Sequence, residues 1–404
     1  MKKKAIALVL TAAMAATVLA GCGSSSSSSS SSGSGESASE ASESAEETDA
    51  GSGDTKEVSG SHVFMFKSVG NAFGVIMYKG FSDYMGQVGE ASIEKSPAET
   101  TVAAQVQLLD ESITQGCKSI SISTNGDTGF DEVFAKAQSA NIPIVSVDSS
   151  ASADYRITHN NQASSADIGA MQVRAAVMIV CGVPFDSNDA SMEESVAKAL
   201  ESYTGDEINI GVLSAGIDTP VQNGWIAEME KELQKDIYAG KVNPELDKKY
   251  GDDEATKSTT QAQAFLSENK VDVIISPTTV GIAAAGEVLT QAQSDIKLTG
   301  LGLPSEMANY MPKTADEDEF SYVCPYMMLW DVSHLGASTA AIQMAVQNDG
   351  YKGEVGETLK MEAWGDYAEE TFTTEDNGDG GTGVLTGIPY VFYKDNMAEW
   401  TPLL

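Results

Sequence analysis

The chain has 404 residues, 42% of them hydrophobic, more than one core usually serves, so two domains are expected. Against 24 Lys and Arg it carries 59 Asp and Glu, a net charge of −35, and so acidic a surface repels phosphate backbones and argues against nucleic-acid binding. The only histidines are His62, His159 and His334, and no His or Cys stands at metal-ligand spacing, so neither a metal nor a cofactor is expected.

The first residues read as a leader. Lys2, Lys3 and Lys4 precede an apolar stretch over 5–20 that is too short and isolated for a stable span, and 19–22 reads Leu-Ala-Gly-Cys. That tetrapeptide resembles the lipobox of bacterial lipoproteins, where cleavage leaves the Cys as the lipid-bearing N-terminus. Residues 1–21 are then the signal peptide and Cys22 the lipidation site, anchoring the protein to the cell membrane on its extracellular or periplasmic side. Residues 22–60 contain nine consecutive serines at 24–32, followed by Gly, Ser, Ala and Glu. This composition cannot bury a core and predicts a flexible tether.

From residue 62 onward, short apolar runs alternate with helical periodicity. Strands are predicted at 62–66 (HVFMF), 119–123 (SISIS) and 142–147 (IPIVSV), with helices at 73–85, from 97 on, and at 130–140. The second of these helices spaces Val102, Val106, Leu109 and Ile113 along one face. A helix over 166–180 and an acidic surface excursion over 183–206 follow. Next come a strand at 208–214, helices at 221–234 and 257–266, and the unit 271–301. In that unit a buried strand (271–275) is stopped by Pro277, an Ala-rich helix covers 281–290, and a second strand covers 296–301. A strand at 320–324, a helix at 331–346 and a strand at 389–392 complete the pattern. Strand-helix alternation of this kind is α/β, with two parallel, doubly wound halves.

No GxSxG elbow, P-loop, GxGxxG or HExxH motif occurs, so catalysis is not expected. Asp376-Asn377-Gly378-Asp379-Gly380-Gly381 has a faint look of a calcium loop but lacks its spacing and closing Glu, and a plain turn is expected. Cys117, Cys181 and Cys324 read as buried structural thiols; no disulfide pair is selected among them. Polar residues do recur at strand ends: Lys67 and Asn71, then Asp148, then Gln222 and Asn223, then Thr279. Carboxylate, amide and ammonium groups of this kind satisfy sugar hydroxyls, and Phe73 or Trp330 can stack on a sugar face. Singly, each has an ordinary use as a cap or a turn.

Several segments together resemble the type I periplasmic sugar-binding proteins of ABC importers, in particular the branch with rhamnose-binding and autoinducer-2-binding members. They are SPTTVGIAAA (276–285), TGLGLPSEM (299–307), VQNGW (221–225), YGDDEATKS (250–258), VDS (147–149) with NNQA (160–163), LWDV (329–332) and VFYKDN (391–396). The resemblance implies two Rossmann-like lobes joined by a three-crossover hinge, 61–160 with 331–386 and 161–330 with 387–404. Ligand would lie in the cleft between them. It carries ligand contacts onto Lys67, Asp148, Gln222, Pro277 and Thr279; Asn223 and Asp331 are added from their places in the helix-opening motif and at the crossover. Val221 stands where relatives have a polar residue, Ser150 where they often have a second Asp, and Thr279 adds a hydroxyl where the autoinducer-2 binders have Ala. The set therefore favours a rhamnose-like deoxyhexose or a pentose over autoinducer-2. The expected partners are the sugar and the permease subunits of an ABC importer, with the protein a monomer. The alternatives are a sugar or autoinducer-2 receptor feeding a membrane sensor and, against the missing motifs, a surface carbohydrate-active enzyme.

Overall fold

The computed structural model describes residues 57–404 except Ile388. The expected leader, the lipidation site Cys22 and nearly all of the tether lie outside the described residues. In chain order the first segment is β1 His62–Met65, α1 Ala72–Gln87, β2 Ser92–Glu94, α2 Val102–Thr114, β3 Ser119–Ile122, α3 Asp131–Ser139, β4 Ile144–Val147 and β5 His159–Asn161. The second is α4 Ser165–Val180, α5 Glu193–Ser202, β6 Ile210–Ser214, α6 Pro220–Leu233, β7 Asp247–Tyr250, α7 Ala255–Glu268, β8 Val273–Ser276, α8 Thr279–Gln291, β9 Lys297–Gly300 and α9 Pro304–Met307. The last is β10 Met327–Leu329, α10 Val332–Met344, β11 Thr358–Met361, β12 Glu370–Asp376, β13 Thr382–Leu385, β14 Tyr390–Phe392 and α11 Met397–Trp400.

These strands form two larger sheets. The first runs β11-β12-β13-β5-β4-β3-β1-β2, parallel from β13 to β2 with an antiparallel edge. The second runs β7-β6-β8-β9 and is parallel throughout. An antiparallel pair, β10-β14, joins the second sheet through the Leu301–Met328 bridge. The chain passes between the sheets three times: after β5, after β10 and after β13. The α/β class and its two lobes with three crossovers therefore stand as the sequence predicts.

Period-two alternation explains the layering. On β1, Val63 and Met65 pack with Leu109, Ile113 and Phe134 on one side of the first sheet. Phe64 and Phe66 pack with Met77, Phe81 and Leu335 on the other. On that side α1 and α10 approach so closely that glycine is required at the contact. A Cβ on Gly80 would lie 1.9 Å from the Ser333 carbonyl oxygen, and one on Gly336 would lie 1.9 Å from that of Met77. This pair of helices begins at the cleft, so the same contact fixes the cleft's first wall.

Two sequence expectations are corrected in detail. The strand predicted at 320–324 is a 3-10 turn, Glu319–Ser321, and the strand itself is Met327–Leu329. Pro325, which has no N–H to give a ladder, separates the two. The 183–206 excursion contains α5, whose Val196, Ala199 and Leu200 are buried. Its start is tied by Asp189 Oδ2, which accepts from the Ser195 amide and hydroxyl, each at 2.8 Å. The 376–381 run is a turn, as expected, between β12 and β13, and Arg156 Nη2 donates to both Asp379 carboxylate oxygens, at 2.7 and 2.8 Å. Cys117, Cys181 and Cys324 are free thiols, Cys117 and Cys324 buried and Cys181 half-buried. Among the described residues no helix is long and apolar enough to cross a membrane.

Candidate functional site

In both sheets the strand order reverses beside the first strand of the unit, between β1 and β3 and again between β6 and β8. Ligands of open α/β sheets bind at the carboxyl ends of strands at such switch points. Here the two switch points face one another across a cavity lined by residues from the strand ends of both sheets.

The first wall is built on Lys67 and Asp148. Lys67 leaves β1, and its backbone is held by Asn125 Nδ2, which donates to the Lys67 carbonyl at 2.8 Å. Gln105, fully buried on α2, donates to the Ser123 carbonyl at 2.8 Å and accepts from the Asn125 amide at 2.8 Å. It also donates to the Phe66 carbonyl at 3.3 Å and thereby ties the ends of β1 and β3 together. Asp148 ends β4 with φ +60°, a left-handed conformation that Asp tolerates better than most side chains. The Asp148 carboxylate lies 3.0 Å from Lys67 Nζ, the two side chains being only 5% and 3% exposed. It also accepts from the Ser123 hydroxyl at 2.8 Å. Asn71 caps α1 by accepting from the Gly74 amide at 3.3 Å and also lines the cavity.

The second wall comes from three loops. Gln222 lies in the first turn of α6, with Pro220 pre-setting the helix start. Its Nε2 donates to the Pro277 carbonyl at 3.4 Å. Pro277, Thr278 and Thr279 follow β8, and the Ser276 hydroxyl anchors this loop on the Leu213 carbonyl at 2.8 Å. Asp253, on the turn after β7, accepts from the Thr278 hydroxyl. Burial pushes the Asp253 carboxyl above the usual carboxylate range, while Lys67 and the Thr278 hydroxyl pull it down and Asp148 adds to the rise.

Aromatic rings close the space between the walls. Trp330 stands on the crossover after β10, edge-on to Phe73 at 6.1 Å and to Trp225 at 5.8 Å. Phe66, Leu301 and Leu329 complete the apolar lining. Two polar atoms here are buried without a hydrogen-bond partner among the described residues: Trp330 Nε1, a donor, and Gln222 Oε1, an acceptor. Buried polar groups are nearly always paired, so both atoms have an unused bond that a polar ligand beside these residues could take up.

Of the residues singled out in the sequence, the cavity brings together Lys67, Asn71, Phe73, Asp148, Gln222, Pro277, Thr279 and Trp330. Two lie elsewhere. Asn223 is one residue, about 100° of helical turn, past Gln222; it is exposed, and its Nδ2 donates to the Ile217 carbonyl at 2.8 Å. Asp331 caps α10 by accepting from the His334 amide at 2.9 Å and also accepts from the Tyr367 hydroxyl. It lines a separate hollow with Gln162, His334 and Glu370. Val221 packs against the apolar core. The sequence reading omits Asp253, Trp225, Thr278 and the positioning residues Gln105 and Ser123. Asp253 lies within a segment the resemblance already quotes, YGDDEATKS, and its carboxylate is the signal that could have found it.

Residues 62–352 match the sequence profile described as the periplasmic binding protein domain. A solute-binding protein of an ABC transporter from Clostridium phytofermentans, solved with bound L-rhamnose, is 29% identical over 86% of this chain and 99% of its own, with a TM-score of 0.74. A sugar ABC transporter protein from Actinomyces odontolyticus is 28% identical over 86% and 99%, with a TM-score of 0.58. The LsrB protein of Clostridium saccharobutylicum in complex with AI-2, at 20% identity over 84% and 99% and a TM-score of 0.70, shares the fold. The cavity's location at two facing switch points and these matches agree: this chain belongs to the periplasmic binding protein family, among the sugar-binding solute-binding proteins of ABC transporters.

Proposed function

We propose that the protein captures one monosaccharide, a rhamnose-like deoxyhexose or a pentose, between its two walls and delivers it to the permease of an ABC importer. The observation that carries this reading is the pair of orphaned groups, Trp330 Nε1 and Gln222 Oε1, on residues lining a cavity that also presents the Lys67–Asp148 pair and four aromatic side chains. A polyol supplies both an acceptor and a donor, and its C–H faces suit the rings. Lys67, Asn71, Asp148, Gln222 and Thr279 bond the hydroxyls; Phe73, Trp330 and Pro277 shape the space. The rhamnose complex of the 29% identical relative supports a deoxyhexose.

The two lobes, 61–160 with 331–386 and 161–330 with 387–404, close by a hinge at the three crossovers, with ligand bridging both sides. Cys22 carries the membrane anchor and the protein acts as a monomer outside the membrane. A thermal-shift panel of pentoses, hexoses, deoxyhexoses and autoinducer-2 tests the reading. Stabilisation by one or a few sugars is expected; no shift with any of them overturns it.

A further inference from the structure

The turn after β7 holds two successive non-glycine residues in the left-handed region, Asp252 at φ +54° and Asp253 at φ +53°. Glycine takes this conformation freely, whereas other residues are held there at a cost and cluster at functional sites. The two carboxylates have different surroundings. Asp252 is answered by Lys257, 3.0 Å away. Asp253 has no ion-pair partner among the described residues, and it lines the cavity beside Lys67, Asp148 and Gln222. The turn is also held from across the cleft: the Thr100 hydroxyl donates to the Asp252 carbonyl at 3.2 Å. Asp253 is thus fixed relative to both walls.

The charge balance of the cavity is one-sided. Its one lining ammonium, Lys67, is committed to Asp148, so Asp253 is a second carboxylate without a cation. Asp253 also borders the hollow at the cleft mouth, where Glu99, Asp218, Asp252 and Glu254 face a single Lys257. A negatively charged ligand meets like charge at the mouth and again inside. A neutral polyol meets acceptors on opposing walls. Independently of Asp253, Gln222 and Trp330, each 4% exposed and lining the same cavity, carry a buried acceptor and a buried donor that have no partner among the described residues.

We propose that Asp253 is a ligand-reading residue of the second wall, accepting a sugar hydroxyl opposite Asp148, and that the two carboxylates restrict the site to uncharged sugars and exclude sugar acids. Asp253 supplies to this wall a polar contact that Val221, packed into the core, does not. The inference rests on the sugar-binding reading above and adds to it a residue and a charge class.

The test is calorimetric titration of the full chain and of Asp253→Asn and Asp253→Gly. The probes are L-rhamnose, the neutral pentoses, hexoses and other deoxyhexoses, and the corresponding aldonic and uronic acids. Asn tolerates a left-handed backbone and can still accept from Thr278, and Gly relieves the strain, so both variants keep the turn. The tightest ligand of the unaltered protein is expected to be neutral, with every acid at least about 100-fold weaker. Both variants are expected to bind that neutral sugar about 10- to 100-fold more weakly, the loss of one hydrogen bond to a charged group. Wild-type affinity in the two variants, or an acid that binds the unaltered protein as tightly as the best neutral sugar, overturns this inference while leaving sugar binding intact. No binding of any probe by the unaltered protein overturns the sugar reading and this inference with it.

Discussion

Replacing Asp148 by Asn tests the first wall. Asn keeps an acceptor for the Ser123 hydroxyl and tolerates the φ of +60°, so loss of charge is the main change. The Lys67 ammonium, 3% exposed, is then left buried without its counter-ion. Removing one partner of a buried pair costs about 3–5 kcal/mol. With about 2.1 cal/mol/K of unfolding entropy per residue over roughly 350 residues, the unliganded melting temperature should fall by about 4–7 °C. Ligand at 100 times its Kd stabilises the unaltered protein by about 2.7 kcal/mol, or about 4 °C. If Asp148 takes a sugar hydroxyl, the variant binds up to about 100-fold more weakly, and the same ligand concentration adds only about 0.4 kcal/mol, under about 1 °C. Scanning fluorimetry with and without sugar reads both effects, and calorimetry confirms the affinity. A variant that melts with the unaltered protein refutes the buried ion pair. One that keeps the full ligand shift refutes Asp148 as a ligand contact.

Trp330→Phe keeps a ring against Phe73 and Trp225 but removes the orphaned Nε1. Affinity should fall about 10-fold with little loss of unliganded stability, because an unpaired donor leaves with the indole; unchanged affinity in calorimetry would show that Nε1 meets no ligand. Gly336→Ala forces α1 from α10 at the Met77 carbonyl, and overpacking should destabilise by about 1–3 kcal/mol in denaturant titration; equal midpoints would contradict so close a contact. His159, fully buried against Ser146, has its pKa lowered to about 3, by burial first and by Arg156 second. A depressed pKa keeps the ring neutral in the fold while the unfolded chain protonates below about 6.5, so this contribution is complete above that pH and is lost as pH falls toward 3. It amounts to about 3 kcal/mol between pH 7 and pH 4. His159→Asn should lose less stability over that interval, and an equal loss would remove His159 as the cause.

Much of this was legible because the parallel strands are short, apolar and bounded. HVFMF, IPIVSV and VDVII read as buried strands, and the residues just after them fall at the carboxyl ends, where Lys67, Asp148 and Pro277 line the cavity. The antiparallel edge, β11 to β13, was not read. β12 is ETFTTED, with only Phe372 and Thr374 buried, so its single apolar face is too thin to separate from a polar loop. Asn223 and Asp331 show a different limit: both sit beside the cavity in sequence, and helix phase and capping turn their side chains away. Gln105 and Ser123 were invisible for the opposite reason. Each is an ordinary polar residue whose role exists only once β1, β3 and β4 lie side by side.

On the proposed reading, both walls bind the same sugar molecule. Calorimetric titration with L-rhamnose and a set of pentoses, monitored in parallel by tryptophan fluorescence because Trp225 and Trp330 line the cavity, tests it most directly. One sugar is expected to bind per chain, with an emission change that saturates at the same concentration. Absence of both heat and emission change across the set would contradict it.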